Sequence, residues 1–457
     1  MFFWLHEIQG STDINKRIFL VVNDTIKKRF YKIGTKTISI TPKLGVPLYA
    51  FDGAVRTSDK VHSDLSASVI TIGFRKELLV IVSLDLIWVD KVFTEKIREW
   101  LKKSIEHDNY KAHLLLAATH SHSTPQISGK IFNNAKPDPS YLSFLYDQVC
   151  QAISSALDNE EECYAKLSIT YPGLTVNRRK KILSSGLLKR GTIKKIIANR
   201  PNYNGALDDK LYTIWFYNSR GKEKAVILNY ACHPTLFREN AVSADFPGMV
   251  SSHLKSKVSE ELVVCFLQGF TGNIKADLTR LSCYSYRRLI PYVYSCLFDR
   301  LQFNKNPSKE LLKDFSAKLA KSSMLKSNSK YIDPQLFFHS KSIRLPLRDN
   351  TSSKYENFDI LYISIGVKLK IIALGGEIFS EYSLWLRNLL LSRKIDLLTV
   401  GYCNDMTGYI PTYEAMLEGG YEVERTFKEF SHSAPFSDRI ENVIKKEIEE
   451  LIRMDLV

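Results

Sequence analysis

The stretch Leu114-Leu-Leu-Ala-Ala-Thr-His-Ser-His-Ser-Thr-Pro125 limits what this chain can fold into more than any other. Ala112 to Ala118 is an apolar run with the length of a buried strand. The run stops at a polar His-x-His, and Pro125 prevents the strand from resuming. Residues i and i+2 of a strand face the same side, so His120 and His122 can share a cleft. A bare His-x-His also fits an exposed polar turn, so the rest of the chain has to decide between the two.

The same arrangement recurs downstream. The apolar run Lys224 to Ala231 leads into Cys232-His233-Pro234-Thr235. Ser364 to Leu374 reads as a strand leading into Gly375-Gly-Glu377, and Leu397 to Tyr402 as a strand followed by Asn404-Asp-Met-Thr-Gly-Tyr409. Four strand ends therefore carry candidate ligands: His120, His233, Glu377 and Tyr409. Two imidazoles and a carboxylate suit a catalytic zinc, which keeps one position open.

Between these runs lie a hairpin candidate (Ser66 to Phe74 and Leu78 to Leu84) and amphipathic helices at Val92–Lys103, Tyr141–Leu157 and Asp438–Met454. Residues 280 to 300 read as a further helix rich in Tyr and Arg. Hairpins mixed with alternating strands and helices predict an α/β fold of mixed sheets flanked by helices, with the zinc site at the C-terminal ends of strands. Asp85, just past a strand, reads either as a helix cap or as a carboxylate that orients a metal-bound histidine.

Composition narrows the class. Of 457 residues, 44% are hydrophobic and 25% charged, enough for a large core without disulfides. Seven scattered cysteines without CxxC spacing read as buried thiols. No signal peptide or membrane span is legible, so a cytoplasmic location is expected. The net charge of +15 is partly local, in a basic segment near 178–200, read as a loop or flap, and in a polar stretch near 303–335, read as a basic helix or an insertion. Such charge suits an anionic substrate or a membrane surface. No nucleic-acid signature accompanies it, and no nucleic-acid partner is expected.

Seven pieces spread along the chain resemble the neutral, non-lysosomal ceramidase family. They are Ile40-Thr-Pro-Lys-Leu-Gly-Val-Pro-Leu48, Ser83-Leu-Asp-Leu86, Ala118-Thr-His-Ser-His-Ser123, Val176-Asn-Arg178, Asn229-Tyr-Ala-Cys-His-Pro-Thr235, Gly375-Gly-Glu377, and Gly408-Tyr-Ile-Pro-Thr-Tyr-Glu-Ala415 with Gly419-Gly-Tyr421. The resemblance implies one catalytic domain over residues 1–457, with one zinc per chain on His120, His233, Glu377 and Tyr409. It implies His122, Tyr421 and Arg178 as catalytic residues. Where the family has Gln-Ser-Asn, this chain has Gln268-Gly-Phe270, so Gly269 replaces a serine. The family's C-terminal immunoglobulin-like domain is not expected. The implied activity is zinc-dependent hydrolysis of an amide bond in a small N-acyl compound, polar or anionic rather than ceramide. A true ceramidase, a lipid-linked substrate with peripheral membrane contact, and a non-catalytic binding descendant remain as alternatives.

Overall fold

The computed structural model describes residues 30–49, 56–105, 110–129, 136–184, 194–279, 301–348 and 354–456. The helix expected over 280–300 lies outside the described residues, as do Cys283 and Cys296.

A nine-stranded sheet forms the frame. Its order is Val263–Gln268, Glu223–Tyr230, Leu211–Asn218, Glu161–Thr170, Tyr31–Ser39, Ser66–Phe74, Glu77–Leu84 and Lys111–Ala118, with Lys330–Ile332 added beside Glu161–Thr170. The pairs at its two edges are parallel and the others antiparallel. The sheet curls until its edge strand Val263–Gln268 lies against the strands Ser66–Phe74 and Glu77–Leu84. Ser83 Oγ donates to Phe266 O at 2.7 Å, and Cys265 Sγ lies 3.3 Å from Ser68 O.

Strand alternation explains the layering. Ile70, Ile72, Leu79, Ile81, Leu115 and Ala117 share one core with Leu361, Ile363, Ile371 and Leu398 of a four-stranded sheet. Val69, Val80, Val82, Leu114 and Leu116 point the other way, into a second core. The helices Lys91–Ile105 and Pro139–Asp158 cover that face through Phe93, Ile97, Leu101, Leu145, Val149 and Ile153. Near-continuous apolar runs are what strands buried on both faces require. The helices Ser380–Leu391 and Ile440–Leu456 contribute Leu386, Ile444 and Ile448 to the same core. Asp245–Lys257 and Lys309–Ser323 cover a third core around Trp215, Leu228 and Phe266. The fold is therefore the expected one: mixed sheets flanked by helices.

Two details differ from the sequence reading, and one alternative it left open is decided. Residues 364–374 are not one strand; Tyr355–Ile365 and Leu369–Leu374 form a hairpin that turns at Gly366, φ 75°. Glycine takes that left-handed conformation without the usual steric cost. The basic segment is not a plain loop, since Thr175–Ser184 and Lys194–Asn202 pair antiparallel. The polar stretch near 303–335 contains the buried-faced helix Lys309–Ser323, with Ser308 accepting from Leu311 N as N-cap. Among the described residues, no helix is long and apolar enough to cross a membrane, and all five cysteines are free and buried.

Candidate metal centre

His120 sits two residues past its strand, in the left-handed conformation with φ 68°. A non-glycine residue there is strained, and such strain gathers at functional sites. Strand alternation therefore does not aim the His-x-His; the left-handed turn does. Two hydrogen bonds hold it: His120 N donates to Leu86 O at 2.9 Å, and Nδ1 donates to Ile87 O at 2.7 Å. With its proton on Nδ1, His120 turns the lone pair of Nε2 towards the cleft.

His122 and His233 complete a triangle. The Nε2 atoms of His120 and His233 are 3.3 Å apart, those of His122 and His120 3.3 Å, and those of His122 and His233 3.1 Å. These three histidines could hold a metal ion. Zinc–nitrogen bonds of 2.0–2.1 Å in a tetrahedron place ligand nitrogens about 3.3–3.4 Å apart, close to this spacing. Burial, and next the neighbouring His120, push the His122 and His233 imidazoles well below their ordinary pKa. Both are thus neutral, the form that binds a metal.

Glu377 supplies negative charge. Its Oε2 lies 3.6 Å from His120 Nε2 and 3.9 Å from His233 Nδ1. That Nδ1 is buried without a hydrogen-bond partner. The two-residue strands Glu377–Ile378 and Tyr409–Ile410 run parallel and pair Glu377 with Tyr409. Gly408 takes φ 93° to enter this pairing, and a Cβ there would lie 2.8 Å from the Phe430 ring.

Arg178 reaches the site from the strand Thr175–Ser184. Its Nη2 donates to Tyr409 Oη at 3.0 Å and to Gly272 O at 2.7 Å, while Nε lies 3.4 Å from Glu422 Oε1. Burial works against its charge, but Tyr409, Glu422 and Glu377 outweigh it and raise the pKa. Its guanidinium is engaged by these protein partners and bears on the Tyr409 phenol. A bulge in this strand turns the next residue inward as well, and Arg179 Nη1 donates to Glu422 Oε2 at 2.7 Å. The Tyr421 ring stands 6.3 Å from that of Tyr409, and its hydroxyl donates to both oxygens of Glu429, at 2.8 and 3.0 Å.

Pairwise contacts thus link all seven sequence-derived residues, with His122 as close to His120 and His233 as those two are to each other. Asp85 behaves otherwise. It accepts from Ser66 N at 3.0 Å and Thr119 Oγ1 at 3.3 Å, and the histidine-orienting acceptor is the Ile87 carbonyl. A backbone carbonyl leaves no residue type to read, so sequence reasoning had no signal for it.

Two other contributors went unnoticed. Tyr402 stacks on His120 with ring centroids 3.9 Å apart. Gln268 joins the two histidine loops, its Nε2 donating to Thr119 O at 3.0 Å and Cys232 O at 2.7 Å. At the next residue, Gly269, an added Cβ would lie 2.9 Å from Ala231 Cβ and 3.1 Å from its backbone nitrogen. The loop is packed around a glycine.

No known protein family and no curated protein matches the sequence. Solved structures do match the fold. The neutral ceramidase from Pseudomonas aeruginosa superposes with a TM-score of 0.68 at 16% identity, over 88% of this chain and 72% of that one. A ceramidase complexed with C2 gives 0.67 at 15% identity, over 88% and 73%. This chain therefore has the fold of those ceramidases, with a three-histidine cluster able to hold a metal beside the C-terminal ends of its strands.

Proposed function

We propose that this protein is a zinc-dependent hydrolase that cleaves the amide bond of an N-acyl compound. The triangle of three imidazoles beside a buried carboxylate carries this reading, and the ceramidase fold supports it. His120, His233, Glu377 and Tyr409 hold the ion in this proposal. When bound, zinc supplies a polarised carbonyl and a water activated for attack near neutral pH. The chain's own groups supply the rest. Burial and then the Glu377 charge push the Tyr409 phenol well above its ordinary pKa, and Arg178, hydrogen-bonded to it, offsets part of that rise. His122 Nε2 takes the proton from the attacking water and returns it to the amine nitrogen as the carbon–nitrogen bond breaks. Tyr421 presents a hydroxyl at the cleft edge for the acyl oxygen, and Glu429 holds it there until substrate enters.

The near-equal Nε2 spacing favours a second reading for one residue, with His122 on the metal rather than on the proton. Metal content of His122→Ala separates the two. Full metal with lost turnover supports the proton role; lost metal supports the ligand role. The activity itself is tested by offering a panel of N-acyl amides to zinc-loaded protein and measuring released amine. Metal-dependent release supports the reading, and inertness towards the panel together with hydrolysis of esters overturns it.

A further inference from the structure

A run of aromatic rings leads away from the metal triangle. Tyr421 stands 6.3 Å from Tyr409, Tyr409 6.5 Å from Phe430, Phe430 6.0 Å from Trp88 and Trp88 4.8 Å from Tyr49, each pair edge to face. Tyr49 ends the run against His122, their ring centroids 5.5 Å apart. Its backbone is pinned to the histidine loop, because Tyr49 N donates to Thr124 O at 3.0 Å. Tyr409, Phe430 and Trp88 in the middle are buried, while Tyr49 is half-buried and Tyr421 47% exposed. The run therefore reaches solvent at its two ends.

Glu429, half-buried, sits beside both ends. It precedes Phe430, and both its oxygens accept from the Tyr421 hydroxyl, at 2.8 and 3.0 Å. After burial it is also the first charge that acts on the Tyr49 phenol. Among the described residues no lysine, arginine or histidine forms an ion pair with this carboxylate; the neighbouring Lys428 lies over the Phe427 ring instead, 5.8 Å from its centre. The charge that acts on Glu429 is Glu377, which together with burial raises its pKa. Holding a carboxylate partly out of water without a counter-charge is costly unless a cation completes the arrangement. Aromatic faces attract a cation placed within about 6 Å of the ring centre. Arg178 takes that place at Tyr409, 5.6 Å from its centre, and is answered by Glu422 at 3.4 Å. Among the described residues no cation lies over Tyr49 or Tyr421.

We propose that Glu429, with the Tyr421 and Tyr49 rings, holds an ammonium group that the substrate carries in its amine half, so that the compound cleaved is an N-acylated diamine or a quaternary-ammonium analogue of one. This rests on the hydrolase reading for the word substrate, but the cation site stands or falls separately. The amine half is assigned because Tyr49 packs on His122, which in that reading returns a proton to the amine nitrogen. A primary ammonium donates to the carboxylate where the Tyr421 hydroxyl donates now, and so frees that hydroxyl for the acyl oxygen. A quaternary ammonium has no proton to donate and relies on the charge and the rings.

The test is titration calorimetry on metal-stripped protein, where no turnover intervenes. The probes are the hexanoyl amides of ethylenediamine (primary ammonium), of (2-aminoethyl)trimethylammonium (quaternary ammonium), of propylamine (neutral) and of glycine (carboxylate). Wild type is expected to bind at least one cationic probe tenfold or more tighter than the neutral one. Glu429→Gln keeps an acceptor for the Tyr421 hydroxyl and removes the charge, and is expected to cut that preference at least fivefold. Tyr49→Leu is expected to cut it at least threefold, and Tyr49→Phe to retain it. Near-ultraviolet circular dichroism verifies the fold of each variant. No binding of either cationic probe, equal binding of the neutral probe, a preference for the glycine amide, or a cationic preference unchanged in Glu429→Gln or in Tyr49→Leu overturns the site. If the preference holds and zinc-loaded protein hydrolyses none of the four, the cation site stands and the amidase reading fails.

Discussion

Tyr402 lies face to face with His120, their ring centroids 3.9 Å apart and their planes inclined by 26°. Both residues are in the left-handed conformation, φ 56° and 68°. The Tyr402 hydroxyl also donates to Glu377 Oε2 at 3.3 Å. One side chain therefore holds an imidazole and the carboxylate that faces it. Groups one step out from a metal commonly change affinity by about 10–100-fold when removed. Tyr402→Phe keeps the stack and loses the hydrogen bond, so zinc affinity is expected to fall by about tenfold; competition with a chromogenic chelator measures it.

Purified protein is expected to hold one zinc per chain. His233→Ala and Glu377→Ala should each lose both metal and turnover, because three protein ligands are close to the least a catalytic zinc uses. Elemental analysis beside an activity assay reads both. A variant that keeps full metal removes that residue from the ligand set.

Gly269→Ser is expected to destabilise the fold by ~1–3 kcal/mol, the usual cost of forcing atoms into a packed interior. The new Cβ meets Ala231, and the loop also carries Gln268, which ties together both histidine loops. Urea denaturation gives the stability difference. Unchanged stability with a gain in ceramide cleavage would falsify the view that this loop is built for glycine.

Asp85 gives a stability effect with a definite sign. Burial, partly offset by the Ser66 and Thr119 hydrogen bonds, raises its pKa from 3.8 to about 7. Between those values the folded state keeps a proton that the unfolded state has lost. Its contribution to stability is therefore complete below pH 3.8 and lost as pH rises to about 7. The slope in that window is about 1.4 kcal/mol per pH unit at most. Asp85→Asn cannot titrate, so wild type should lose stability relative to the variant from pH 4.5 to 7. Parallel denaturation curves across that range would remove the buried proton from the account.

The sequence by itself indicated several of the strands, because apolar runs such as Leu114 to Ala118 have the length and character of a strand covered on both faces. It also marked where a metal could sit: the runs that stop at His120 and His233 end beside the three-histidine cluster. Local pattern reached no further. Residues 364–374 hid a hairpin, because both arms are apolar and only Gly366 marks the turn. The convergence of His120 with His233 depends on a sheet that curls until the strand Val263–Gln268 packs across its other half, a long-range property that no window of sequence contains. The left-handed turn at His120, the Ile87 carbonyl that fixes its tautomer and the Tyr402 ring stacked on it come from three separate segments. Likewise the sequence showed Arg178 as a basic residue at the start of a basic run. Only the folded chain turned it inward onto Tyr409 and Glu422, because a side chain's partners are set by packing between distant strands.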